Sequence, residues 1–199
     1  MAEMSAVERW LVNSPVRAWL QRAEIRAFLR WSGIGPDAAV LDMGCGSGVS
    51  TALIRSMARP RRLDAFDFDP KMAARASRRL RRRDSGTPVS VLVADASRMP
   101  FRAGAFDAVF ETGVLHHVPD WRRSLREVRR VLRPGGRFCF AEPSRGRLQR
   151  GLYRALPHAT ESMFDADEWR AALEDAGLRL LGPLRRLPMW DVCGVAKPT

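Results

Sequence analysis

The chain is poor in cysteine. Cys45, Cys139 and Cys193 are scattered over 199 residues, too few for a disulfide framework and never paired at metal-ligand spacing. Lysine is almost missing as well: it occurs only at 71 and 197, and arginine supplies the other 32 of the 34 basic residues. No run approaches the roughly 18 consecutive apolar residues of a membrane span. The longest charge-free stretch, 43–54, is short and glycine-rich. The start, Met1-Ala2-Glu3-Met4, lacks the basic-then-apolar layout of a secretory leader. These absences argue against a stapled secreted domain and a membrane-spanning protein, and the expected location is cytoplasmic.

What is present points to an ordered core. Apolar residues make up 46% of the chain and charged residues 28%, and there are six tryptophans. A chain of this length suits one domain. The formal net charge is +12. So one-sided a choice of arginine is what a GC-rich coding bias produces, and the plain meaning is a solvated basic surface. The sharper meaning is attraction to nucleic acid, membrane headgroups or acidic substrates.

Short β-like runs alternate with helical patterns, the signature of an α/β domain with a parallel sheet. Helix is expected over 3–12 and again over 15–30, after the Asn13-Ser14-Pro15 break. In the second piece Val16, Trp19, Leu20, Ala23, Ala27 and Leu29 are expected to form the packed side, and packing is also expected of Trp10 and Trp31. Ala38-Ala39-Val40-Leu41-Asp42 reads as a buried first strand. Further strands are expected at 62–67, 89–93, 106–110 and 137–141, with a closing pair at 178–187 and 190–196. Asp69, Asp120 and Asp165 each stand where a helix N-cap belongs. The arginines at 75–83 and 122–133 fall mostly on outer helix faces.

Between the first strand and its helix lies Gly44-x-Gly46-x-Gly48. Glycines there allow a tight turn and close approach of backbone to a ligand. Asp42 precedes the loop, and Asp67 ends the next strand, where a carboxylate can accept both hydroxyls of a ribose. A dinucleotide fingerprint would need glycine at 49 or 51, which are Val49 and Thr51, and no G-x-x-x-x-G-K-[ST] run occurs. Mononucleoside chemistry fits better than pyrophosphate binding.

The run Val40-Leu41-Asp42-Met43-Gly44-Cys45-Gly46-Ser47-Gly48 resembles the first motif of class I S-adenosylmethionine-dependent methyltransferases. The resemblance continues in order through Asp67-Phe68-Asp69-Pro70, Ala94-Asp95-Ala96, Phe106-Asp107-Ala108-Val109, Leu115-His116-His117-Val118 and 125–136. It covers residues 38–141, extends to 165–196, and is nearest the small-molecule branch that includes quinone-biosynthesis methyltransferases. It implies a Rossmann-like, doubly wound, mostly parallel seven-stranded sheet with a C-terminal antiparallel strand and N-terminal helices. It also implies a single methyltransferase domain over 1–199: a helical cap at 1–30, a cofactor-binding core at 31–141, and a substrate-covering segment with closing strands at 142–199.

By the same resemblance the cofactor is S-adenosyl-L-methionine, with S-adenosyl-L-homocysteine as product and no metal. The backbone of Gly44, Cys45 and Gly46 lines its methionine part, and Asp42 helps through the loop or the amino group. Asp67 holds the ribose, Phe68 and Met72 flank the adenine, and Asp95 with the Ala96 backbone reads its amino edge. Glu111 and Thr112 border the methionine carboxylate and the reacting methyl.

A sulfonium methyl is already activated, so alignment with an acceptor supplies much of the catalysis and no triad is required. A base matters when the acceptor is a hydroxyl or an acidic carbon. His116 and then Glu111 are the candidates, against the plainer role of loop anchor for the His116–His117 pair. Glu142, Tyr153, His158 and Glu161 suit either a substrate cover or a solvated loop. The leading expectation is methyl transfer to a small organic acceptor. The alternatives are an RNA-directed methyltransferase, a non-catalytic S-adenosylmethionine-binding regulator, and peripheral membrane contact through the N-terminal helices.

Overall fold

Apolar runs without alternation become strands buried on both faces, as a parallel sheet between two helix layers requires. The computed structural model, which describes residues 15–81, 86–149 and 163–199, contains β1 (Ala39–Met43), β2 (Arg62–Asp67), β3 (Val89–Val93), β4 (Phe106–Thr112) and β5 (Leu132–Glu142). The expected helix over 3–12 with Trp10, and Arg82, Arg83, Tyr153, His158 and Glu161, lie outside the described residues. The strand order is β3-β2-β1-β4-β5-β8-β6, parallel from β3 through β5. β8 (Trp190–Pro198) runs antiparallel to β5 and to β6 (Leu178–Leu180).

One expected element divides. The run 178–187 is not a single strand: β6 stops at Leu180, and a separate β7 (Arg185–Leu187) pairs with the earlier part of β8. Gly182-Pro183 lies between them, and proline has no N–H to offer a ladder. The seven-strand order thus carries a short eighth strand at its antiparallel edge.

Helices cover both faces. On one lie α1 (Pro15–Ser32), α2 (Val49–Ala58) and α3 (Pro70–Arg81), whose Phe28, Ile54 and Leu80 pack on the sheet. On the other lie α4 (Trp121–Val131) and α6 (Ala166–Asp175), with Leu125, Val128, Trp169 and Leu173 inward. A single short turn, α5 (Arg145–Leu148), follows β5. Caps set the starts: Asp120 Oδ1 accepts the Arg123 N–H at 3.0 Å, and Asp165 forms a full capping box with Glu168.

The buried face of α1 differs from expectation. Trp19 is 69% exposed and Ala23 also faces out, while Arg17, Glu24, Ile25 and Phe28 are buried. The reason is polar. Arg17 Nη1 pairs with Glu24 at 2.9 Å, and the indole Nε1–H of Trp190 donates to Glu24 Oε1 at 2.8 Å. That bond turns the Arg17–Glu24 side of α1 toward β8 and rolls Trp19 outward. Trp31 packs beside Phe28, with Arg185 over its ring.

Burial pushes Glu24 above the usual carboxylate range, against the pull of Arg17 beside it. Removing the acid leaves a buried guanidinium and an indole N–H without their acceptor. Glu24→Ala is therefore expected to lower stability by about 3–5 kcal/mol. Urea unfolding checks this, and an unchanged midpoint refutes the docking role.

Candidate active site

The sheet order reverses direction between β1 and β4, and ligands of open α/β sheets bind outside the strand ends at such a switch point. The loops that leave β1, β2 and β4 there are held by carboxylates. Asp42, 3% exposed, accepts the Ser50 and Thr51 hydroxyls on Oδ2 at 2.8 and 2.6 Å, tying the first turn of α2 beneath the glycine loop. Burial pushes its carboxyl up to about 6. Asp67 accepts the Gly46 N–H on Oδ2 at 2.8 Å and the Asp69 N–H on Oδ1 at 2.9 Å. Partial burial raises its carboxyl too.

The three glycines of the loop face different neighbours. A Cβ on Gly44 would lie 2.3 Å from Val114 Cγ2, and one on Gly48 would lie 2.9 Å from the Ala76 backbone of α3. A Cβ on Gly46 would meet nothing within 4 Å. The outer glycines are packing requirements of the fold, and the middle one presents open space to a ligand. Cys45 between them is buried, its N–H donates to the Phe66 carbonyl at 2.9 Å, and burial holds its thiol far above the range of a nucleophile.

Next to the loop, Phe68 is half-exposed at the end of β2, and Val93, paired in register with Asp67, is exposed at the end of β3. Met72 is instead buried on α3, and Ala96 is buried. Asp95 is exposed, its Oδ1 accepting the Ser97 N–H at 2.7 Å. Asp67, Phe68 and Asp95 therefore share the rim of one edge, with Met72 and Ala96 behind them.

At the end of β4 the structure adds a residue that sequence reading left undecided. Glu142, at the end of β5, has no exposed surface. Its Oε1 accepts the N–H groups of Val114 (2.9 Å) and Leu115 (2.5 Å), and its Oε2 lies 2.5 Å from His116 Nδ1. A solvated loop position is thereby excluded for Glu142: it anchors the 3-10 turn Leu115–His117. An ionised Glu142 favours a proton on the facing nitrogen, His116 Nδ1. His116 is itself buried, and His117 lies against it with ring centroids 3.9 Å apart. Thr112 is half-buried one residue past Glu111. A legible signal for Glu142 did exist: a lone acid ending an apolar strand, Phe138-Cys139-Phe140-Ala141-Glu142.

Glu111 completes the cluster. It too is fully buried, Oε1 accepts the Val114 N–H at 2.8 Å, and among the described residues Oε2 meets no hydrogen-bond donor. Burial and the adjoining Glu142 charge hold Glu111 well above the usual carboxylate range, while His116 helps hold Glu142 below it. The two carboxyls titrate as a coupled pair in which Glu111 holds its proton to higher pH than Glu142. Among the described residues no three His, Cys, Asp or Glu side chains gather as a metal-ligand set.

Folding takes up the Glu111 proton from about pH 4.5, where an unfolded glutamate ionises, to its raised folded value. This stabilisation is complete below that range and is lost as pH rises through it. Glu111→Gln keeps a neutral donor and removes the titration. Its melting temperature is expected to fall less than that of the parent from weakly acidic to alkaline pH, measured by calorimetry; parallel profiles refute the raised titration of Glu111.

Residues 41–140 match a family described as a methyltransferase domain. A demethylmenaquinone methyltransferase of Thermus thermophilus is 31% identical over 180 residues, covering 75% of this chain and 81% of that protein. A 27-O-demethylrifamycin SV methyltransferase of Amycolatopsis mediterranei is 32% identical over 145 residues, covering 70% of this chain but only 53% of its own length. The chain thus spans about half of that relative. A crystal structure of a SAM-dependent methyltransferase from Aquifex aeolicus superposes with a TM-score of 0.77 at 21% identity, covering 98% of both chains, which is a likeness of fold. With a domain match over half its length and this degree of identity, the chain belongs to the methyltransferase-domain family of class I S-adenosylmethionine-dependent methyltransferases.

Proposed function

We propose that the chain is an enzyme that transfers a methyl group from S-adenosyl-L-methionine to a small organic acceptor. The observation that carries this is the joining of Asp67 to Gly46: a partly exposed carboxylate is held against the open middle of the glycine loop, beside a half-exposed Phe68. Each Asp67 oxygen accepts one backbone N–H and keeps a second lone pair for a ribose hydroxyl. These acceptors therefore suit the ribose of an adenosyl group.

In this reading Gly44, Cys45 and Gly46 line the methionine part by their backbone, and Asp42 acts beneath the loop through Ser50 and Thr51. Phe68 covers one adenine face with Met72 behind it, and Asp95 and Ala96 border the amino edge. Glu111 and Thr112 border the reacting end. Bound there, the cofactor supplies an activated methyl, so the chain's own task is to orient the acceptor and exclude water. For a hydroxyl acceptor, His116 is the candidate base and Glu142 is a positioning residue that fixes its ring.

The same proposal treats 1–199 as one domain, with 1–30 as cap, 31–141 as cofactor core and 142–199 as acceptor cover and closing strands. It places the protein in a reducing cytoplasm, supported by three buried, unpaired thiols. Among the described residues no helix is long and apolar enough to cross a membrane.

Calorimetric titration with S-adenosylmethionine tests the site. The parent chain is expected to bind, and Asp67→Asn to bind about tenfold or more weakly, since hydrogen bonds to a charged group contribute about 1.5–3 kcal/mol. Absence of heat and of thermal protection with the parent chain overturns the proposal.

Methyl transfer from labelled cofactor to a panel of phenols and quinols tests the base. His116→Asn is expected to lower kcat by about 10²–10⁴ with the cofactor affinity unchanged. Glu142→Gln is expected to shift the pH profile of kcat as well. Equal losses of kcat and cofactor affinity reduce both residues to loop anchors.

A further inference from the structure

Charge is segregated between the two helix layers. Helices α1, α2 and α3 together carry ten basic residues and one acidic residue, Glu24, which is buried in its pair with Arg17. Helices α4 and α6 on the opposite face carry six basic and five acidic residues. A coding bias toward arginine acts on the whole gene and does not remove acids from one layer alone.

The basic side chains form a continuous surface. Trp19, Arg22, Arg26 and Arg30 follow at helical spacings of three, four and four, so they make one exposed stripe on α1. Arg22 reaches a shallow groove over α2 whose far wall is Arg79 of α3 and whose floor includes Val49 and Leu53. Arg75 and Arg78 extend the patch along α3. Among the described residues none of these six arginines stands in an ion pair, whereas Arg130 of α4 and Arg170 of α6 do.

Among the described residues, Trp19 is the one large apolar side chain exposed on these three helices. A single indole offers no succession of stacking platforms for a single strand of nucleic acid. A layer of three packed helices is also too broad to enter a duplex groove, which admits one helix. Arginines with an indole among them on a broad face suit a plane of anionic headgroups: the guanidinium groups meet phosphates, and the ring and arginine stems lie at the apolar boundary.

We propose that the outer face of α1–α2–α3 docks this protein on an anionic lipid surface, with the Trp19–Arg22–Arg26–Arg30 stripe against the headgroups. Each basic residue close to such a surface strengthens binding about fivefold, and salt screens the effect.

Flotation of the full chain with vesicles of equal parts phosphatidylcholine and phosphatidylglycerol tests this, beside vesicles of phosphatidylcholine alone. Binding is expected only to the anionic vesicles and is expected to be lost at high salt. The triple variant Arg22→Gln, Arg26→Gln, Arg30→Gln is expected to weaken it by on the order of 100-fold. Trp19→Ser, which leaves the charge intact, is expected to weaken it as well. The same charge removal on α4, Arg122→Gln, Arg123→Gln, Arg126→Gln, is expected to have little effect. All the substituted side chains are exposed, and unchanged melting temperatures identify folded variants. Failure to bind anionic vesicles, or equal losses from the two triple variants, overturns the proposal. Retention of polyuridylate through the α1 stripe, without vesicle binding, assigns the face to nucleic acid and overturns it too.

Discussion

Where parallel strands end, the departing loops expose backbone N–H groups that no ladder satisfies, and in this protein strand-end carboxylates take them up. Asp67 holds Gly46 and Asp69, and Glu142 holds Val114 and Leu115. Glu111 shares the Val114 N–H, and Asp42 takes the hydroxyls of the first turn of α2. Release of any one frees a loop that a neighbour depends on. Val114, held by two acids, is the side chain that presses on Gly44.

That arrangement gathers negative charge in a place of low exposure, and the electrostatics follow. Asp42 is pushed up to about 6 by burial, Glu111 is held well above the usual carboxylate range by burial and the adjoining Glu142, and Glu142 is held below it. Two buried glutamates at adjoining strand ends resist ionising together, and His116 beside Glu142 favours ionisation there.

The two faces of the sheet are used differently. The α4–α6 face is apolar and aromatic within, where Trp121 stacks on Trp169 and Phe164 packs tilted against both, and mixed in charge outside. The α1–α3 face packs smaller side chains against the sheet and presents one sign of charge to its surroundings. Its helix α1 is oriented by the buried polar set Arg17, Glu24 and Trp190 together with Ile25 and Phe28.

Local pattern in the chain was enough for the five parallel strands, the helix caps, the glycine bend and the acid at the end of β2, because each is written in residues adjacent in sequence, whereas the expected strand 178–187 divided at Gly182-Pro183. Asp67 and Gly46 are 21 residues apart, yet each stands at a strand end, so neighbouring parallel strands had to bring them together. The order of motifs likewise carried the family. Long-range polar pairing was not legible. Glu24 meets Trp190 across 166 positions, which turned α1 away from the face its tryptophan suggested. Glu142 reaches His116 across 26, and its burial converts an ordinary acid into the anchor of a loop. Apolar periodicity records which side of an element is buried by packing. It holds no record of which distant polar group will supply a missing hydrogen-bond partner, and only the folded chain decides that.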